Sequence, residues 1–214
     1  MSSVAIIDYG MGNLHSIAKA VQHADPNADV TVTDDRGAIL HADRVIFPGV
    51  GAIRDCMKAL AERDLAAVIR DAAASKPLLG ICLGMQALLN ESQENNGTRC
   101  LGLIPGRVVR FRDGLSDTNG QALKIPHMGW NRVAPAQEHP LWEGIEPGSW
   151  FYFVHSYHAS PEMAKDVAAL TEYPASFASA VARGNVFAVQ FHPEKSHGVG
   201  LRLLANFLNW APAG

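Results

Sequence analysis

The chain has 214 residues, 48% of them hydrophobic, enough for one well-buried core. Its 18 basic and 21 acidic residues leave a net charge of −3, which offers no footing for nucleic acid or an anionic membrane, and no apolar run is long enough to span a bilayer. Three cysteines with no Cys-x-x-Cys argue against a disulfide framework or zinc ribbon, and the opening MSSVAIIDYG lacks the basic and long apolar segments of a secretory leader, so a cytoplasmic protein is the expectation.

Residues 4–9 read as a buried strand ended by Gly10. Residues 13–24 follow helical spacing, with Leu14, Ile17, Ala18 and Val21 on one face. Short apolar strands follow at 30–33 and 44–47, the second ended by Pro48-Gly49. Residues 53–74 are helical, with room for a break. Next come a strand at 77–81 and a helix at 83–90. Continuous apolar strands alternating with helices predict a mostly parallel central sheet covered by helices on both faces. After Asn95-Asn96-Gly97 the pattern changes. Residues 107–111 form a strand near a sheet edge and 113–120 a loop; 149–157 is strongly β-like. Strands at 167–171, 178–181 and 186–191 follow, the last two joined by the turn Arg183-Gly184-Asn185. Residues 201–210 close the chain as an amphipathic helix. The C-terminal portion is therefore rich in antiparallel strands. No repeat or linker interrupts the sequence, so residues 1–214 are read as a single domain.

The stretch GICLGMQ places Cys82 where a buried strand becomes a helix, with Gly80 and Gly84 on either side. This is the pattern of a nucleophile elbow, which lifts the nucleophile above the sheet edge and leaves its side chain exposed. The helix N-terminus behind it favours thiolate. Taken alone, Cys82 reads equally well as a small buried hydrophobe. A thiolate nucleophile needs a base, and the base needs an orienting group. FAVQFHPEKS supplies His192 at a second strand end, and Pro193 turns the chain so that Glu194 can hold the imidazole. Without Cys82 the same residues read as a solvated turn. Phe47-Pro48-Gly49-Val50-Gly51 follows a third strand end; its amides and that of Leu83 can serve an oxyanion, although a plain glycine-rich turn has the same composition. His127, His155 and His158 lack metal-ligand spacing, and no metal is expected. Cys56 and Cys100 read as structural.

The trio PGVG, GICLGMQ and FHPEKS, in this order, resembles the class I (triad-type) glutamine amidotransferases over nearly the whole chain. DYGMGN (8–13), IPHMGWN (125–131) and YFVHSY (152–157) are similar to the branch of that family that serves a cyclase in histidine biosynthesis. The resemblance implies a flavodoxin-like α/β fold and no cofactor. Cys82 would attack the side-chain amide of glutamine, His192 would move the protons and Glu194 would orient His192. Gly51 and Leu83 would bind the oxyanion, within the loop of Gly49 and Val50. Gln86 and Glu94 would hold the amino-acid end of glutamine, beside a backbone edge at Ser156 and Tyr157. Ammonia would pass to a separate (β/α)8-barrel cyclase subunit in a heterodimer, across a surface that includes Asn13, Met128, Trp130, His155 and Lys195. Trp130 reads nearly as well as a core residue, and Lys195 as a solvated lysine. Two rivals remain on sequence alone: another amidotransferase or free hydrolase with the same triad, and a non-catalytic flavodoxin-like module.

Overall fold

The computed structural model describes residues 2–116 and 120–212. The first half alternates strand and helix: β1 (Ser3–Ile7), α1 (Leu14–Ala24), β2 (Asp29–Thr33), α2 (Arg36–His41), β3 (Arg44–Phe47), α3 (Ile53–Glu62), α4 (Leu65–Ser75), β4 (Leu78–Ile81) and α5 (Leu83–Ala87). The second half is strand-rich: β5 (Glu91–Ser92), β6 (Thr98–Arg99), β7 (Gly106–Arg110), β8 (His127–Pro135), β9 (Ser149–His155), β10 (Tyr157–Pro161), β11 (Val167–Tyr173), β12 (Ala175–Arg183) and β13 (Val186–Val189), closed by α6 (His197–Asn209).

The sheet runs β2-β1-β3-β4-β13-β12-β10-β7-β5-β6, with β11 on β12, β8 on β11 and β9 on β8. From β2 to β13 every pairing is parallel; β13-β12, β12-β10 and β10-β7 are antiparallel. Alternate residues of the parallel strands enter two cores. Ala5, Ile7, Val45, Phe47 and Leu78 pack with Ile39 of α2 and with α3, α4 and α5 on one face. Val4, Ile6, Ile46, Leu79 and Ile81 pack with Ile17 and Val21 of α1 and Leu203, Leu204 and Phe207 of α6 on the other. Cover on both faces is why these strands read as unbroken apolar runs.

Several elements depart from the sequence reading for local reasons. The helical stretch expected over 53–74, read with room for a break, does divide after Glu62, where Asp64 takes a left-handed φ of 53°. The helix expected over 83–90 ends at Ala87. The carbonyls at and just past its end are taken by a returning segment: Ala87 O accepts from Leu101 N, Leu88 O from Leu103 N and Ile104 N, and Leu89 O from Gly102 N. The β-like run 149–157 is two strands parted at Ser156, one paired with β8 and the other with β7. The long strand β8 was not foreseen, nor α2, and α6 begins four residues before 201, its first turn masked by Gly198 and Gly200. The loop expected at 113–120 falls partly on 117–119, outside the described residues. Among the described residues no helix is long and apolar enough to cross a membrane.

Candidate active site

The sheet register brings three distant segments to one rim. β4 lies between β3 and β13, parallel to both, with Gly80 opposite Phe47 and Ile81 opposite Val189. Residues 48, 82 and 190 therefore leave the sheet side by side at its carboxyl edge, where open α/β sheets bind ligands. Cys82 N donates to Val189 O at 2.8 Å and holds the junction together.

Cys82 sits at the turn with φ 54° and ψ −110°, a conformation that L residues rarely adopt. Close packing keeps it there. A Cβ on Gly84 would lie 2.0 Å from Phe47 O, so α5 can approach β3 only with glycine at that position. The side chain is less open than its sequence reading: Cys82 is 7% exposed and meets solvent through a cavity of about 310 Å³.

His192 reaches the same cavity from the end of β13. Its backbone N–H donates to Tyr152 O at 2.9 Å, and Ser196 Oγ donates to its carbonyl at 2.6 Å. The chain then turns through Pro193, which brings Glu194 Oε1 to 2.8 Å from His192 Nδ1, with both side chains buried. His192 Nε2 has no hydrogen-bond partner among the described residues, and the Cys82 sulfur shares the cavity with it. Burial pushes the imidazole pKa down, but the Cys82 sulfur and the Glu194 carboxylate outweigh it and raise the group to about 10. Cys56 and Cys100 are pushed up to about 12 by burial, so neither thiol ionises readily at neutral pH.

Val50, Gly51, Leu83, Gln86, Glu94, Ser156 and Tyr157 also line the cavity. Gln86 Nε2 donates to Tyr157 O at 3.0 Å, and Glu94 Oε2 accepts from Ile53 N at 2.9 Å. Gly49 lies behind the wall, where a Cβ would meet Tyr9 Oη at 2.6 Å and Gly84 N at 2.9 Å. Its carbonyl accepts from Leu83 N at 3.3 Å. The Leu83 amide, expected to face an oxyanion, is thus engaged by the Gly49 carbonyl in this conformation.

The surface residues divide. Met128 and Trp130 are exposed on the outer face of β8, and Trp130 stacks on His197 with ring centroids 5.0 Å apart. Its exposure excludes the alternative reading of Trp130 as a core residue. Lys195 stands at the cavity mouth with its Nζ 5.6 Å above the Tyr152 ring. Asn13 caps α1 by position without a side-chain cap bond. His155 differs from its reading as a surface contact: the ring is buried, bonds His127 Nδ1 through Nε2 at 2.9 Å, and bonds Tyr157 O through Nδ1 at 2.8 Å. These hydrogen bonds fix the ring inside an aromatic cluster, with one edge on the cavity.

Two residues of the site were not singled out from sequence. Tyr9, fully buried at the end of β1, donates its hydroxyl to Pro48 O at 2.9 Å and anchors the PGVG loop from below. Gln190, also fully buried, contacts the Cys82 sulfur. The available signal was one polar residue inside the apolar run VFAVQF.

Residues 5–210 match the family model described as glutamine amidotransferase class-I. The chain is 71% identical over 99% of its length to the "Imidazole glycerol phosphate synthase subunit HisH" of Methylococcus capsulatus, covering 98% of that protein. It is 56% identical to the protein of the same name from Nitrosococcus oceani, over 98% of each chain. Among solved structures, one described as a glutamine amidotransferase superposes with a TM-score of 0.72 at 18% identity, over 97% of this chain and 99% of that one. The structure of PurLQS from Thermotoga maritima gives 0.71 at 19% identity, over 97% and 98%. These two likenesses bear on the fold, and both agree with a mostly parallel sheet flanked by helices.

Proposed function

The chain belongs to the class-I glutamine amidotransferase family, and from that premise we propose that it is the glutaminase subunit of an imidazole glycerol phosphate synthase, acting as one domain over residues 1–214. The observation that carries the chemistry is the meeting of Cys82 and His192 on one cavity, with the second nitrogen of His192 held 2.8 Å from Glu194. A sulfur, a base and an orienting carboxylate are the parts that acyl transfer from an amide requires.

Cys82 attacks the side-chain carbonyl carbon of glutamine. The tetrahedral adduct collapses as the C–N bond breaks, and His192 delivers a proton to the departing ammonia. A glutamyl thioester remains. Water then attacks it, with His192 taking a proton, and glutamate leaves as the sulfur is restored. Glu194 keeps the imidazole in the orientation both steps need. Gln86, Glu94 and the backbone at Ser156 and Tyr157 hold the amino-acid end of the substrate.

The oxyanion site is the point of control. The Gly49 carbonyl that engages Leu83 N belongs to the Gly49–Val50 peptide. Turning that peptide over releases the Leu83 amide and presents the Val50 amide beside Gly51, so two donors enter together. Loss of one such donor costs about 2.7–4 kcal/mol of barrier, roughly a hundred- to thousand-fold in rate. Structures of the assembled synthase with and without cyclase ligand test this; a Gly49–Val50 peptide in one orientation throughout rejects it.

Ammonia passes to a (β/α)8-barrel cyclase subunit docked over the cavity mouth, where imidazole glycerol phosphate and aminoimidazole carboxamide ribotide form. A dry path keeps ammonia neutral, because a buried amine is costly to charge. Asn13, Met128, Trp130 and Lys195 form the docking face of this cytoplasmic heterodimer. The deciding experiment is Cys82→Ser in the assembled synthase. Glutamine-dependent turnover is expected to vanish while excess ammonia still supports the cyclase. Near-normal glutamine use by that variant would remove Cys82 as nucleophile, and failure to form imidazole product with any barrel-type cyclase would remove the synthase assignment.

A further inference from the structure

Gln190 directly follows the wholly apolar strand β13 and is fully buried. A primary amide placed there is costly unless both its ends are used. Gln86 Nε2 donates to Gln190 Oε1 at 2.9 Å, and Gln190 Nε2 donates to Cys82 Sγ at 3.7 Å. The direction of this chain is fixed by the backbone. Gln86 Nε2 also donates to Tyr157 O, which can only accept. Both protons of the Gln86 amide are thereby assigned. The oxygen of Gln190 must face Gln86, and its nitrogen must face the sulfur.

We propose that Gln190 is a further residue of the reaction, an N–H donor that holds the Cys82 sulfur toward His192 and stabilises the negative charge the sulfur carries before attack. A neutral thiol accepts weakly, whereas charge on the sulfur strengthens the bond. The contact therefore favours the reactive state over the resting thiol. Because Gln86 lines the substrate cavity, the same chain connects the wall that receives glutamine to the sulfur that attacks it. This inference rests on Cys82 being the nucleophile.

Two variants separate the donor from mere packing. Gln190→Glu is nearly isosteric and keeps the acceptor for Gln86, but it removes the N–H aimed at sulfur. Gln190→Met fills the same space and removes both bonds. The direct readout is iodoacetamide alkylation of Cys82 near neutral pH, followed residue by residue by mass spectrometry. Both variants are expected to alkylate about tenfold more slowly or worse, the scale of one charge-assisted hydrogen bond. The kcat for glutamine hydrolysis in the complex should fall with it, while KM stays within about threefold. Alkylation and kcat of Gln190→Glu within about twofold of the parent, or a loss confined to KM, would overturn the proposal. A packing role predicts that outcome, with only Gln190→Met impaired. Should Gln190→Met fail to fold, Gln190→Glu decides alone. Alkylation needs no glutamine turnover, so the result is independent of whether Cys82→Ser abolishes glutamine use.

Discussion

Two groups of buried imidazoles stand close together, and they are held in opposite charge states. His192, on the parallel rim, is raised to about 10. His127 and His155, on the β8–β9 hairpin, are lowered by burial to about 4 and about 3. His155 even lines the same cavity as His192. Burial opposes charge in all three, so burial does not account for the difference. The partners do. His192 faces a carboxylate and a sulfur. His155 Nδ1 donates to Tyr157 O, which leaves its Nε2 to accept from His127 Nδ1, and His127 Nε2 accepts from Asn131 Nδ2 at 3.2 Å. Every partner in that second chain is neutral, and Tyr173 and Phe153 stack on the His127 ring with centroids 3.9 and 4.9 Å away. One site holds a protonated imidazole between a sulfur and a carboxylate; the other is a neutral polar seam in an aromatic wall.

The largest expected effect tests this contrast directly. His192→Asn should lower glutaminase kcat/KM in the complex by at least about a thousandfold, within the range of a lost general acid–base. His155→Asn should cost far less in kcat at neutral pH, acting through the cavity wall. Equal losses in steady-state assays would break the distinction.

The next effect is on stability, and it has opposite signs at the two sites. Folded His127 and His155 stay neutral below 6.5, where the unfolded chain takes up protons they refuse. Their contribution is complete above that pH and is lost as pH falls from 6.5 toward 4, on the order of 3 kcal/mol for His127 alone. His192 behaves the other way: its contribution is complete below 6.5 and is lost as pH rises through about 10. Urea unfolding across both limbs measures this. Cys82→Ser should shrink the basic limb and leave the acid limb unchanged. An acid limb flat between 6.5 and 4.5 would contradict the neutral seam.

Glu194→Gln should follow, with a loss of about a hundredfold in kcat/KM. Removing the carboxylate takes away one of the two groups that hold His192 protonated, so the imidazole should titrate at lower pH, which NMR of the ring reads directly. An unmoved titration would mean that the sulfur alone sets its charge.

How much of this was legible in sequence follows the same division. The parallel rim was readable because its determinants are local. An apolar run ending in Gly-Ile-Cys-Leu-Gly specifies an elbow, and His-Pro-Glu specifies its own turn. Even so, the meeting of residues 82 and 192 depends on β13 choosing β4 as neighbour, which is a long-range pairing. Of the hairpin only β9 was readable; β8 was missed because it carries polar residues inward, and His127 and Asn131 interrupt the apolar–polar alternation that marks a half-buried strand. The Gly49 carbonyl on Leu83 N is a choice between two peptide orientations of one sequence, so composition could not show it.

The smallest expected effect sharpens the comparison within the hairpin itself. β8 alternates strictly, so Met128, Trp130 and Arg132 point outward while His127, Asn131 and Val133 share the inner side. Inner positions answer to the core and outer positions to solvent or a partner. Trp130→Ala removes an exposed ring that packs against the rings of His197 and Tyr152, so the free subunit should lose little stability, within about 1 kcal/mol. Binding to the cyclase subunit should weaken by about tenfold or more if the ring anchors the docking face, since aromatic side chains dominate interface energetics. Calorimetric titration of the two subunits, beside thermal unfolding of the free one, separates the terms. A large drop in Tm with unchanged affinity would mean that the outer face of β8 supports the fold instead of a partner.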